Sequence, residues 1–267
     1  MSAVIKLSSP ATHEFWEIPV LFEDEHLLAL DKPARLLTAP DPADPARPNL
    51  MKLLHDGIAA QKPWATGRRL EYLDHPHELD FEATGVLLLA KNQPAFGALA
   101  NLFSADRARL KYLALVRGER FEPEFEVDAK LAPHPLRPGV MRVDPDHGKK
   151  ARTRFTLLEH FPRAGHALLR AEPFGGRPHQ VRVHVGEAVL KLAGDEVYGG
   201  KPLWLSRLKK DFRLKPGREE RPLISRAALH AEELQLPHPV TKEIVTITSE
   251  WPKDLKVAVK YLRQYSA

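Results

Sequence analysis

The chain has 267 residues, 43% hydrophobic and 28% charged, with no cysteine. That is the make-up of a globular protein with room for a sizeable core; it excludes disulfides, thiolate metal sites and a cysteine nucleophile, leaving oxygen or nitrogen for any nucleophile. A formal charge of +5 favours a polyanionic partner such as nucleic acid, and no apolar run approaches the roughly 20 residues of a bilayer span.

The opening "MSAVIKLSSPATHEFWEIPV" has no basic stretch leading into a long apolar one, so no secretory signal is read and a cytoplasmic location is expected. Residues 1–19 read as an N-terminal extension. "IPVLFEDEHLLALDKP" predicts two short strands around an acidic turn, ended by Lys32 and Pro33, since proline neither donates to a ladder nor continues a helix. The proline-rich "ARLLTAPDPADPARP" must be irregular. Apolar spacing predicts helices in "NLMKLLHDGIAAQ", "PAFGALANLF" and the C-terminal "PKDLKVAVKYLRQY". "GVLLLAK", "KYLALVRG", "ARTRFTLLEHF", "HALLRAEPF" and "EIVTITSEW" predict strands. Strands and helices interleave without a strict βαβ rhythm and no internal repeat is visible, so one mixed α+β domain over residues 1–267 is expected. Within it, residues 201–226 form a basic excursion whose Leu205, Leu208 and Phe212 predict an amphipathic piece docked on the body.

The stretch "HPHELDFEATGVLLLAKN" concentrates chemistry-bearing residues. His75 and His77, two apart, would face one way on a strand, with Asp80 as a third ligand; Pro76 between them breaks regular pairing and argues against a metal. Asp80 also reads as a nucleophile or base on a loop that closes at Gly85, or as a turn-capping aspartate, and the stretch alone does not choose. "GGRPHQVRVHV" places Arg177, His179, Gln180, Arg182 and His184 beside an apolar alternation. A guanidinium fork bonds both oxygens of a carboxylate or phosphate at once, whereas the bland reading is an exposed basic strand or helix. Tyr112 and "LAGDEVYGG" complete the candidates.

Taken in order, these segments resemble the RluA-type family of RNA pseudouridine synthases. "VLFEDEHLLALDKPARLLTAP" is similar to its first motif, "HELDFEATGVLLLAKN" to its catalytic motif, "KYLALVRGE" to its tyrosine motif, "GKKARTRFTLLE" to a mid-domain strand and "GRPHQVRVHV" to its arginine motif; "LAGDEVYGG" and "ALHAEELQLPHPVTKE" match the last two. The match runs from about Val20 onward. It implies an α+β pseudouridine synthase fold with a central, mainly antiparallel bent sheet, flanked by helices and loops, and a catalytic cleft. It further implies an isomerase that breaks the uracil–ribose C–N bond, rotates the base and forms a C–C bond, without metal or other cofactor. Asp80 falls at the position of the catalytic nucleophile, Tyr112 at that of the tyrosine beneath the target base, and Arg182 at that of the arginine paired with the aspartate. The implied partner is RNA, ribosomal or transfer, bound by a monomer without membrane attachment, the target uridine being flipped into the cleft.

Some positions depart from the family pattern. Glu78 stands where a cation usually faces the RNA, Ala83 and Thr84 replace the usual Thr-Ser pair, Arg35 stands where glycine is common, and "VLKLAGD" replaces the usual approach to the Gly-Asp. No S4-type domain is recognisable before the first motif, so RNA contact is expected from the catalytic domain: His77, Arg177, His179 and Gln180 near the site, and Lys209, Lys210 and Arg213 in the excursion. The alternatives are an RNA-binding paralogue without catalysis, to which Glu78 would point, and a histidine-dependent metallohydrolase.

Overall fold

A computed structural model describes residues 3–41, 44–215 and 217–266. Met1 and Ser2 of the extension, Pro42 and Ala43 of the proline-rich segment and Pro216 of the basic excursion lie outside the described residues. The chain forms two compact units, Met1–Leu110 with Ala231–Glu250, and Lys111–His230 with Trp251–Ala267.

The first unit opens with β1 (Val4–Ser9), β2 (Glu14–Glu23) and β3 (Leu27–Lys32). β2 and β3 are the two strands expected around the acidic turn, which Asp24 closes by accepting the backbone N–H groups of His26 and Leu27 at 2.7 and 2.8 Å. Helix α1 (Leu50–Ala59) starts at Asn49, whose side chain accepts from the Lys52 N–H, and buries Leu50, Met51 and Leu54. A single turn, α2 (Pro63–Thr66), leads on to β4 (Thr84–Ala90). All seven residues of β4 are buried, because it runs inside the sheet with β3 on one side; a strand covered on both faces reads as a continuous apolar run, as "GVLLLA" does. Helix α3 (Gln93–Ser104) is capped by Asn92, with Pro94 in the first turn.

In the second unit, β5 (Arg109–Arg117) is followed by β6 (Glu124–Asp128), the hairpin pair β7 (Leu131–Pro133) and β8 (Met141–Val143), and the long strands β9 (Arg152–Phe161) and β10 (His166–Phe174). The order β5-β10-β9-β6 is antiparallel throughout. Helix α4 (Gln180–Glu187) follows, then the two-residue β11 (Lys191–Leu192) and the short α5 (Leu205–Leu208). The run "GRPHQVRVHV" is therefore a loop and a buried helix, neither an exposed strand nor an exposed helix: Gln180 to Val185 are all buried.

The chain then returns to the first unit as β12 (Leu229–Pro237) and β13 (Ile244–Thr248), paired antiparallel, with β12 beside β4. It ends in the second unit as α6 (Lys253–Ser266). The core of the first unit gathers Leu27, Ala29, Val86, Leu88, Leu99, Leu234, Leu236 and Ile247. That of the second places Leu255, Ala258, Val259 and Leu262 of α6 on Leu113, Leu115, Phe161 and Leu168. The predicted docking of the excursion holds for Leu208, which packs on this second core with Leu203, Leu223 and Ile224; Leu205 and Phe212 are half-buried. Among the described residues no helix is long and apolar enough to cross a membrane.

Candidate active site

Asp80 is partly exposed on the loop that runs into β4. The loop is irregular yet tied at every step. Thr38 brackets the preceding residue, its hydroxyl donating to the Leu79 carbonyl at 3.0 Å and accepting the Leu79 N–H at 3.2 Å. The Arg35 N–H donates to the Phe81 carbonyl at 2.7 Å, and the Ala83 N–H closes a turn on the Asp80 carbonyl at 3.0 Å. Lys32, fully buried, donates to the carbonyls of Ala83 at 3.0 Å and Pro33 at 2.8 Å. The guanidinium of Arg47 lies 4.0 Å from the centre of the Phe81 ring, a cation–π contact on the residue next to Asp80. Gly85 ends the turn at φ +113°, and a side chain there would run into the Ala231 backbone. Arg35 takes φ +61°. The position where glycine is common thus demands the left-handed region, and here arginine bears its cost.

The two histidines of this loop face different work. His77 accepts the Leu88 N–H on Nε2 at 3.0 Å and stacks on Phe103 with ring centres 4.7 Å apart. Its Nδ1 is buried without a hydrogen-bond partner. Burial, with a smaller push from His75, lowers its pKa from 6.5 to about 3, so the ring is neutral. His75 donates from Nε2 to Glu78 Oε1 at 3.3 Å, and its Nδ1 lies 3.3 Å from Asp74 Oδ1. With Nε2 of His77 spent on the backbone and Nε2 of His75 on Glu78, the pair is not arranged to ligate a metal together with Asp80.

In the second unit, Tyr112 sits on β5 opposite Ala171 of β10 and is 8% exposed. Arg182 projects from α4, itself buried. Its Nε donates to Asp195 Oδ2 at 2.7 Å and its Nη2 to Asp195 Oδ1 at 2.9 Å, while the guanidinium carbon lies 4.9 Å from the centre of the Tyr198 ring. The Tyr198 hydroxyl is hydrogen-bonded to His179 Nδ1 at 2.8 Å and accepts the Met141 N–H at 2.9 Å. His179 starts α4 at φ +53°. Gln180 is spent on the scaffold: its Nε2 donates to the carbonyls of Arg152 and Phe174 at 2.8 and 3.0 Å, and its Oε1 accepts the Arg177 N–H at 2.9 Å. Those bonds hold the glycine-rich loop against β9 and β10, and Arg177 adds a donation to the Lys150 carbonyl at 3.2 Å. His184 shares a hydrogen bond with Thr153 Oγ1 at 2.8 Å, and burial lowers its pKa. Lys209 is half-buried, whereas Lys210 and Arg213 are exposed.

Two residues of "LAGDEVYGG" carry roles that the run alone does not reveal. Asp195 is the bidentate partner of Arg182, and Tyr198 is the hub between Arg182, His179 and β8. The available signal was Gly194: it takes φ +74° with the Arg226 carbonyl against the place of its missing side chain, so the Gly-Asp pair marks a position where the backbone must turn sharply.

The family profile described as RNA pseudouridylate synthase matches residues 26–187. Over 255 residues the chain is 34% identical to ribosomal large subunit pseudouridine synthase D of Nitrosomonas europaea, covering 94% of this chain and 68% of that protein. It is 32% identical over 246 residues to ribosomal large subunit pseudouridine synthase C of Salmonella typhi, covering 91% and 70%. Among solved structures, human RNA pseudouridylate synthase domain containing 4 aligns over 91% of this chain and 92% of its own, with a TM-score of 0.67 at 21% identity, which shows the same α+β fold. The chain therefore belongs to the RluA family of RNA pseudouridine synthases, intramolecular isomerases that act on RNA.

Proposed function

We propose that the substrate is a specific uridine of large-subunit ribosomal RNA, with Asp80 as the nucleophile, Tyr112 beneath the target base and Arg182 as the cationic partner of the reacting carboxylate. The names of the two bacterial relatives support ribosomal RNA over transfer RNA. The observation that carries the role of Asp80 is its loop: a partly exposed carboxylate on a backbone fixed by Thr38, Arg35, Lys32 and Gly85 is presented without having to be ordered during the reaction. The isomerisation breaks N1–C1′ and makes C5–C1′, so one proton leaves C5 and one arrives at N1. Tyr112 offers a π face for the base and a hydroxyl able to carry a proton. Arg177, Lys209, Lys210 and Arg213 are the phosphate contacts of this reading, with His77, His179 and Gln180 beside the substrate, where the hydrogen bonds of His77 and Gln180 also tie down their loops.

Mapping pseudouridine across total RNA from cells with and without the gene, and with Asp80→Asn, tests the reading. The expected result is one or a few large-subunit positions that lose pseudouridine in the deletion and are not restored by Asp80→Asn. Full modification by Asp80→Asn would overturn the nucleophile, and sites confined to other RNAs would overturn the substrate.

A further inference from the structure

Glu78 lies two residues before Asp80 on the same loop, and its side chain is 62% exposed. It is not adrift. Its Oε1 accepts from His75 Nε2 at 3.3 Å, and the His75 side chain is only 18% exposed. The His75 N–H in turn donates to Asp74 Oδ1 at 2.8 Å, and the Asp74 backbone is bonded both ways to Ala90 of β4, at 3.1 and 2.8 Å. A chain of hydrogen bonds thus runs from the sheet to one oxygen of this carboxylate. Among the described residues, no lysine or arginine pairs with Glu78, and its Oε2 has no hydrogen-bond partner.

A tethered acid with no lysine or arginine paired to it, two residues from the reacting carboxylate of an RNA enzyme, cannot serve to hold the backbone, since it repels phosphate. It has only lone pairs to offer, and the donors of RNA are the N–H and amino groups of the bases and the 2′-hydroxyl. Uracil, cytosine and adenine each present one such nitrogen on the pairing edge. Guanine presents N1–H and the N2 amine side by side, the one base edge that meets both oxygens of a carboxylate with two charge-assisted bonds. Single-stranded bases splayed at an enzyme surface are read on this edge.

We propose that Glu78 is a specificity-determining residue that selects RNA with a guanine flanking the target uridine. This rests on RNA being the substrate of the loop that carries Asp80, and its test reads binding so that the two can fail separately. A library of single-stranded RNAs with a central uridine and randomised flanks is incubated with the full chain, and the bound fraction is sequenced for wild type and Glu78→Gln. Wild type is expected to enrich guanine about tenfold or more at one flanking position, the discrimination typical of a paired base contact, and Glu78→Gln to lose that enrichment. Replacing that guanine by inosine, which lacks the N2 amine, should weaken binding to wild type and leave binding to Glu78→Gln unchanged. No guanine enrichment by wild type, or equal enrichment by the variant, overturns the assignment. RNA selected for guanine but left unmodified supports it while refuting catalysis at Asp80.

Discussion

Arg182 and Asp195 form a buried bidentate pair, Nε to Oδ2 at 2.7 Å and Nη2 to Oδ1 at 2.9 Å, with side chains 5% and 0% exposed. The aspartate fixes both the place and the plane of the guanidinium, which lies over the Tyr198 ring. Asp195→Asn keeps the shape but replaces one accepting oxygen with an amide N–H donor that faces a guanidinium donor, and breaking a buried pair from one side costs about 3–5 kcal/mol. The expected result is a lower urea midpoint with an unchanged slope. Arg182→Lys should not preserve stability, because a single ammonium cannot span both oxygens and gives up the guanidinium plane over Tyr198.

Lys32 connects the first motif to the loop that carries Asp80. Its Nζ donates to the Ala83 carbonyl at 3.0 Å, and the Ala83 N–H donates to the Asp80 carbonyl at 3.0 Å. Lys32→Met keeps an unbranched side chain one atom shorter, removes Nζ and orphans the carbonyl that anchors this turn. If the turn places the nucleophile, kcat on RNA should fall by roughly ten- to a hundredfold with KM little altered, the signature of lost positioning. A raised KM at constant kcat would place Lys32 in binding.

Gly85 ends that turn at φ +113°, against the Ala231 backbone. Gly85→Ala meets both obstacles at once, an unfavourable backbone region and a collision with a carbonyl that belongs to a sheet strand. The expected destabilisation is more than about 3 kcal/mol, seen as a lowered denaturation midpoint or loss of soluble protein.

The sequence carried the strands and helices whose cause is local. β4 is legible because a doubly covered strand is apolar at every position, and α1 and α3 because Asn49 and Asn92 cap periodic runs. The buried helix α4 was illegible as a helix. Its arginine, histidine and glutamine look solvent-facing until Asp195, Thr153 and the carbonyls of Arg152 and Phe174 satisfy them, and those partners all lie outside the helix. The division into two units was hidden for a similar reason: residues 231–250 join the first unit and residues 251–267 the second, a pairing no local pattern encodes. Asp80 and Gly85 were visible as a turn, whereas the Thr38 and Lys32 bonds that hold it span 41 and 51 residues of chain.

His77 predicts a pH dependence. Burial lowers its pKa from 6.5 to about 3, so the folded protein resists a proton that the unfolded chain accepts. Its contribution is fully present above about pH 6.5 and is lost as the pH falls from there towards 3, at up to about 1.4 kcal/mol per pH unit. His77→Phe keeps the stack on Phe103 and orphans the Leu88 N–H, costing about 1–2 kcal/mol at pH 7. In urea titrations the wild type should be more stable at pH 7, and its lead should narrow and reverse by about pH 5. Parallel pH profiles would show that His77 titrates normally in the folded chain.

The basic excursion is anchored by apolar contacts and by the Ser206 N–H donating to Glu220 at 2.8 Å, which leaves Lys210 and Arg213 exposed and Lys209 half-buried. None of the three contributes to the core beneath, so their joint replacement by alanine should leave the denaturation midpoint within about 0.5 kcal/mol of wild type. If they neutralise phosphates, each contact releases counterions, and the slope of log K against log salt should lessen by about 0.7 per lysine or arginine on single-stranded RNA, close to 2 for all three. Affinity would fall most at low salt, and by a similar factor for unrelated RNA sequences, because phosphate contacts carry no base information. An unchanged slope would assign these residues to a solvated face and leave phosphate contact to Arg177 and its neighbours on the glycine-rich loop.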